Sequence, residues 1–125
     1  MSQRILLIDD EEAIQIIFKA SLEFTNGWVV LIASSGVEGM EMAEIEQPDA
    51  ILLDVMMPDL DGIAVFHQLQ SQPLTQQIPI IFLTAQAREA ESKQLASLGS
   101  GMILKPFEPQ LIAHQISTLL NWPSA

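Results

Sequence analysis

Short apolar runs alternate with longer amphipathic stretches along the chain. Five of these runs are continuously apolar, whereas a half-buried strand would alternate apolar and polar positions. Continuous apolar character is typical of strands that helices cover on both faces of a sheet. The five predicted strands cover residues 5–8, 28–32, 50–53, 78–83 and 102–104.

The stretches between these runs predict helices. Residues 12–25 place Ile14, Phe18 and Leu22 on one apolar stripe at helical spacing. The second helix opens on a capping-box pattern, with Ser35 and Glu38 three residues apart. The predicted helices cover residues 12–25, 35–47, 63–70, 86–98 and 108–119. Strands alternating with helices predict a parallel α/β domain, and four phenylalanines are expected in its core, namely Phe18, Phe24, Phe66 and Phe82.

Composition narrows the class of protein. A chain of 125 residues favours one domain, and 49% hydrophobic residues exclude intrinsic disorder. There are 16 Asp and Glu against 5 Lys and Arg, a formal net charge of −11. An acidic surface repels phosphate groups, so we expect no binding to nucleic acid and none to a membrane surface.

Two absences also bear on the class. The chain has no cysteine, which excludes disulfides and thiolate metal sites. Four apolar residues precede Asp9, too few for a signal peptide or a membrane span. We therefore expect a cytoplasmic location.

Polar residues with complementary chemistry follow four of the predicted strands directly. They are Asp9 and Asp10, Asp54, Thr84, and Lys105. Ligands of open parallel sheets bind beyond the carboxyl ends of the strands, so these side chains should converge. Three carboxylates repel each other unless a cation joins them, and Mg²⁺ prefers such oxygen ligands. Lysine and threonine would contact a phosphoryl group, and Asp54, on the central strand, is the best-placed nucleophile.

Each of these residues also has a plainer interpretation. An acidic pair before a helix favours the helix dipole, and an aspartate at a strand end is commonly a turn residue. Lys105 alone would be a solvated surface residue, and Thr84 alone a strand end or helix cap. Four strand ends with complementary groups are poorly explained by coincidence.

Four ordered motifs resemble the receiver domain of two-component response regulators. The resemblance covers residues 4–120 and implies a flavodoxin-like, doubly wound parallel sheet with strand order 2-1-3-4-5 and helices on both faces. The motifs are Ile5–Glu11, Ile51–Gly62, Ile80–Ala85 and Lys105–Phe107.

The resemblance implies a phosphorylation site with a bound metal ion. Asp54 would accept a phosphoryl group from a phosphohistidine of a sensor kinase. Asp10, Asp54 and the backbone carbonyl of Met56 would ligate Mg²⁺, and Asp9 would hold waters of the metal.

It also implies a switch around the phosphate. Lys105 would pair with the phosphate, Thr84 would move to hydrogen-bond it, and the Ala85 amide would donate alongside. The bond from Lys105 to Pro106 would be cis. Met102 departs from the family, which commonly has an aromatic residue three positions before the lysine.

The implied role is that of a signalling phosphoacceptor in a phosphorelay. The resemblance implies no enzyme activity beyond self-catalysed phosphotransfer and autodephosphorylation. The expected partners are a sensor histidine kinase or phosphotransfer protein and a separate downstream protein, because residues 1–125 hold one receiver domain with a core at 4–120 and a tail at 121–125. The downstream protein would bind the face of the fourth helix, fifth strand and fifth helix, lined in part by Gln86, Arg88, Glu89, Glu91, Lys93 and Gln94. The alternative is a pseudo-receiver, an interaction module that signals without phosphorylation.

The segment from Asp59 to Gly62 suggests two competing sites. It is similar to the nucleophile motif of haloacid-dehalogenase-type phosphatases, but no apolar strand runs into Asp59 and no threonine follows Gly62. A calcium loop fails as well, because its first ligand position would be Met57. We expect Asp61 to cap the third helix and Asp59 to be a solvated loop acid.

Overall fold

The computed structural model describes residues 3–59, 61–85 and 97–123. Its centre is a five-stranded parallel sheet with strand order β2-β1-β3-β4-β5, which confirms the predicted fold. Each predicted strand is present, with its ends shifted by no more than two residues. The strands are β1 (Arg4–Ile8), β2 (Val29–Ala33), β3 (Ala50–Asp54), β4 (Ile80–Thr84) and β5 (Gly101–Leu104).

Four of the five predicted helices lie within the described residues. They are α1 (Glu12–Asn26), α2 (Gly36–Glu46), α3 (Gly62–Ser71) and a C-terminal helix (Ile112–Leu120) that follows a 3₁₀ turn (Pro109–Leu111). The helix predicted over 86–98 lies outside the described residues, apart from helical residues 97 and 98. The six residues named for the output face also lie outside them.

The sheet separates two apolar cores, because successive strand side chains point to opposite faces. On one face, Leu7 belongs to a cluster with Phe18 of α1 and Ile116 of the C-terminal helix. On the other face, Leu6 belongs to a cluster with Leu69 of α3. Burying each such side chain contributes about 1.5 to 3 kcal/mol relative to leaving it exposed. Helices on both faces explain why the strand sequences are apolar throughout.

The prediction that Phe24 lies in the core is wrong. Its residue is 91% exposed, whereas Phe18 and Leu22 are fully buried. Each helical residue advances by about 100°, so Phe24 points nearly opposite to Leu22, two residues before it. The other three phenylalanines predicted in the core are buried.

The loop between β3 and α3 is held by polar contacts at both helices that it meets. Asp61 caps α3 as predicted, accepting a hydrogen bond of 2.9 Å from the Ile63 amide. Asp59 is an exposed loop acid, as expected, and it also accepts hydrogen bonds from the Gly36 and Val37 amides at the start of α2 (3.2 and 3.3 Å). Sequence reasoning missed this role because the two partners lie more than 20 positions away in the chain.

Gly62 lets α3 approach the end of β3. A Cβ at this position would lie 2.5 Å from the backbone oxygen of Asp54 and 2.7 Å from Cα of Val55. Such contacts are too close for any side chain, so glycine permits the helix to begin directly beside the end of β3.

Candidate functional site

The carboxyl ends of four strands meet at one edge of the sheet. Asp9 follows β1, Asp54 and Thr84 are the last residues of β3 and β4, and Lys105 follows β5. The registers place Asp54 opposite Leu83 and Thr84 opposite Leu104. The parallel topology therefore brings these predicted positions to neighbouring strand ends, as the strand pattern requires.

Asp9 is fully buried behind this edge. Its Oδ1 accepts a hydrogen bond of 2.9 Å from the Glu11 amide, and its Oδ2 lies 3.0 Å from Nζ of Lys105. Gln15 of α1 donates to the Asp9 carbonyl at 2.8 Å. Both the side chain and the backbone of Asp9 are thus fixed by neighbouring groups.

Asp54 is 3% exposed at the end of the central strand. Its Oδ1 accepts a hydrogen bond of 3.1 Å from the Met56 amide and lies 3.6 Å from Nζ of Lys105. Burial is the largest cause that raises the pKa of Asp54 to about 6, and the charges of Asp9 and Asp10 raise it further. The Met56 amide and the Lys105 ammonium act in the opposite direction and limit the rise.

Lys105 lies between the acidic side chains. Its backbone amide donates to the Thr84 carbonyl at 2.8 Å, which continues the β4–β5 pairing, and its peptide bond to Pro106 is cis. Burial alone lowers the pKa of Lys105, but the contact with Asp9 and the charges of Asp54 and Glu11 outweigh it, so the pKa lies above 10.5. The lysine is therefore charged at neutral pH.

Glu11 joins the acidic group that the sequence predicted. Carboxylate oxygens of Asp9, Glu11 and Asp54 lie within 4.8 Å of one another. Asp10 and Glu11 are both exposed, and of these two only Glu11 belongs to the group. Glu11 Oε1 also lies 3.4 Å from Nζ of Lys105. The strand-end pattern did not single out Glu11, because position along the chain does not reveal which side chain of an acidic run approaches the buried carboxylates.

The chemistry of this group fits a hard cation. All three side chains offer carboxylate oxygens, the ligand type that Mg²⁺ and Ca²⁺ prefer. The buried Oδ2 of Asp9 has its ion-pair contact with Lys105 but makes no hydrogen bond of standard geometry. A buried oxygen in that condition can accept a hydrogen bond from a metal-bound water.

The other predicted positions surround the acidic group. Thr84 is buried, and Ala85 after it is exposed. The Met56 side chain is exposed while its amide contacts Asp54. Met102 is half-buried on β5, opposite Phe82, and packs against the core on the α2–α3 face.

A family model described as the response regulator receiver domain matches residues 5–117. The chain belongs to this family. The receiver domain is 40% identical over 122 residues to the alkaline phosphatase synthesis transcriptional regulatory protein PhoP of Bacillus subtilis. It is 42% identical over 124 residues to the response regulator MprA of Mycobacterium ulcerans. These alignments cover 97% of this chain but 50% and 51% of the relatives, so the chain spans about half their length.

Solved receiver structures have the same fold. A response regulator from Chloroflexus aurantiacus superposes with a TM-score of 0.86 at 29% identity, covering 97% of this chain and 99% of that one. The receiver domain of the sensor histidine kinase PA1611 from Pseudomonas aeruginosa superposes with a TM-score of 0.81 at 30% identity, covering 98% of both chains. That structure has a magnesium ion coordinated in its active site cleft.

The relatives correct one expectation about partners. One of them is named a transcriptional regulatory protein, so an acidic receiver domain does not exclude nucleic acid as a partner of a longer protein. The charge argues only against binding by the receiver surface itself. Among the described residues, no helix has the length and apolar character needed to cross a bilayer.

Proposed function

We propose that this receiver domain is a phosphoacceptor and that Asp54 carries the phosphoryl group. The observation that carries the proposal is the position of Lys105 Nζ, 3.0 Å from Asp9 and 3.6 Å from Asp54 at a buried sheet edge. A nucleophilic carboxylate, a second acid and a fixed cation are the groups that phosphoryl transfer to an aspartate needs.

The proposed step transfers the phosphoryl group from a histidine of a sensor kinase or phosphotransfer protein. A carboxylate oxygen of Asp54 attacks the phosphorus, and the P–O bond forms as the P–N bond to the imidazole breaks. The imidazole nitrogen takes the electron pair and then a proton from solvent. Because the pKa of Asp54 is about 6, most of the carboxylate is ionised and nucleophilic at neutral pH.

Three further groups would hold the transferred phosphoryl group. Lys105 already lies near Asp54 and carries a positive charge, so it would pair with a phosphoryl oxygen. Thr84 and the Ala85 amide stand at the end of the adjacent strand β4, where they would donate hydrogen bonds. These contacts would change when phosphate arrives, and Met102 would repack in place of the aromatic residue common in the family.

Mg²⁺ is the proposed cofactor. Asp10, Asp54 and the Met56 carbonyl would ligate it, and Asp9 would hold one of its waters. Bound there, the ion would neutralise negative charge that develops on the phosphoryl oxygens. The buried Oδ2 of Asp9, which lies 3.0 Å from Lys105 Nζ and makes no hydrogen bond of standard geometry, supports this role for Asp9.

The remaining expectations stand as parts of the proposal. The chain would act as one signalling domain over 1–125, in the cytoplasm, and would not be an enzyme beyond its own phosphorylation and dephosphorylation. A downstream partner would bind the phosphorylated state at the face that includes β5 and the C-terminal helix.

Intact-mass measurement tests the proposal. We expect the full chain, incubated with acetyl phosphate and Mg²⁺, to gain the mass of one phosphoryl group and to gain none with EDTA. Asp54→Asn should gain none, whereas Asp59→Asn, a matched change in the following loop, should react like wild type.

Two results would contradict the proposal. An unchanged wild-type mass, under conditions that modify a known receiver, would establish the pseudo-receiver alternative. A phosphoryl group acquired by Asp54→Asn would show that another residue is the acceptor.

A further inference from the structure

A groove lies between α2 and α3, away from the strand ends. It encloses about 190 Å³. Val37 and Met40 of α2 and Leu69 of α3 supply its apolar surface, and Glu41 and Glu44 line it from α2. Of these apolar side chains, Leu69 is buried, Met40 is half-buried and Val37 is 51% exposed. Val37 and Met40 therefore leave apolar contact area open to solvent, whereas Leu69 does not.

Two exposed apolar residues lie near the C-terminal ends of the same two helices. Ile45 of α2 is 77% exposed, and Leu74, just after α3, is 57% exposed. A hydrogen bond of 2.9 Å from Nε2 of Gln47 to the Leu74 carbonyl brings the ends of the two helices together. Val37, Glu41 and Ile45 are spaced by four residues and share one helical face. Val37 and Ile45 therefore expose apolar side chains on the helical face that carries Glu41.

The charged side chains that line the groove are acidic. Between Lys19 and Arg88 the sequence contains nine Asp or Glu and no Lys or Arg. On α2, Glu46 pairs with Arg4, and Glu38 accepts a hydrogen bond from the Ser34 amide. Glu41 and Glu44 form no ion pair within the part of the chain that the structure describes. These two carboxylates are therefore available to a positively charged partner.

We propose that this groove docks a cationic amphipathic helix of a partner protein. Apolar side chains of that helix would enter between Val37, Met40 and Leu69, and its Lys or Arg side chains would face Glu41 and Glu44. Helices bind grooves in this way through apolar anchors at helical spacing, and a flexible methionine adapts to them. With 5 Lys and Arg against 16 acids, a second copy of this chain does not supply the complementary charge. This docking goes beyond the proposed phosphoryl transfer and does not require it.

The test uses the full ¹⁵N-labelled chain and a synthetic peptide of Leu and Lys, with Leu on one helical face. We expect amide shifts to change mainly over residues 37–45 and 68–75. The double variant E41K/E44K should weaken binding about tenfold or more, because two attractive contacts become repulsive. The control variant E12K/E108K, at two exposed positions, changes the net charge by the same amount. Its affinity for the peptide should fall much less. Circular dichroism checks that each variant is folded.

Two further arms separate docking from general attraction to an acidic protein. A scrambled peptide with the same Leu and Lys content should bind about tenfold more weakly. Val37→Ser should weaken binding of the designed peptide, although it leaves the charge of the protein unchanged. Equal losses in the two double variants, equal binding of the scrambled peptide, or shifts centred on the strand-end acids would overturn the proposal.

Discussion

The carboxylates at the strand ends outnumber the lysine that faces them. Asp9 and Asp54 are almost fully buried, and Lys105 contacts both. One ammonium group cannot neutralise two buried carboxylates, and Glu11 adds a third negative charge at 3.4 Å from it. The pKa of Asp54 is raised because burial and the neighbouring acids both disfavour its ionised form, so it reflects the excess of negative charge. At residue scale, then, the site favours a further cation.

The raised pKa predicts a stability difference that depends on pH. The folded pKa of Asp54 is about 6 and its ordinary value is 3.8, so the folded state binds this proton more tightly than the unfolded state. Protonation of Asp54 therefore adds about 3 kcal/mol to the free energy of unfolding below pH 3.8. This contribution is lost as the pH rises from 3.8 to about 6. Asp54→Asn removes this loss. In urea unfolding with EDTA, its advantage over wild type should grow by about that amount between about pH 4 and pH 8. A difference that does not change with pH would contradict the assigned pKa.

Asp10 and Glu11 are alternative ligands for Mg²⁺, and substitutions at the two positions distinguish them. Geometry groups Glu11 with Asp9 and Asp54, whereas the proposed ligand is Asp10. We expect Mg²⁺ to raise the free energy of unfolding of wild type by about 2.7 kcal/mol at about 100 times its Kd. Asp10→Asn should lose this increase, and Glu11→Gln, the matched change next to it, should keep it. The reverse outcome in urea unfolding with and without Mg²⁺ would assign the ligand to Glu11.

The site residues that lie at strand ends could be predicted from the sequence. Asp9, Asp54, Thr84 and Lys105 each follow or end an apolar run, and parallel topology brings such positions together. Glu11 was missed because it lies in a run of four acids, where only the turn after β1 decides which side chain faces the site.

At the scale of elements, the loop after β3 joins that strand to α2. Asp59 in that loop accepts hydrogen bonds from the first amides of α2, which have no partners within the helix. Ser35 accepts from the Glu38 amide at the same helix end. The start of α2 is therefore held partly by its own residues and partly by the neighbouring loop.

Removing the Asp59 carboxylate should weaken this connection. We expect Asp59→Ala to lower the free energy of unfolding by about 1 kcal/mol, since two helix amides lose their acceptor. Asp59→Asn should recover part of the loss because its amide oxygen can still accept. The exposed Glu108→Ala should change stability by less than about 0.5 kcal/mol. Equal effects of Asp59→Ala and Glu108→Ala in urea unfolding would contradict the capping role.

The elements themselves follow largely from local pattern. Each apolar run became a strand, and Ser35 and Asp61 cap the helices that they precede. Contacts between distant segments were not predictable in this way. Asp59 resembles a loop acid in sequence and caps a helix more than 20 residues earlier, and Phe24 turns away from the core because α1 presents a single face to the sheet.

At the scale of the whole molecule, two surfaces carry acidic side chains with a proposed role. One surface is the sheet edge, where Asp9, Glu11 and Asp54 surround Lys105. The other is the α2–α3 groove, where Glu41 and Glu44 have no ion pair among the described residues. Part of the acidic excess behind the net charge of −11 thus lies at a proposed metal and phosphoryl site, and part lies at a proposed docking site for a cationic partner.

The central claim is that Asp54 is the residue that carries the phosphoryl group. Hydroxylamine converts an acyl phosphate to a hydroxamate, which peptide mass spectrometry locates within the chain. After treatment with acetyl phosphate and Mg²⁺, we predict a hydroxamate at Asp54 and none in the peptide that contains Asp9, Asp10 and Glu11. A hydroxamate in that peptide, with Asp54 unmodified, would contradict the account.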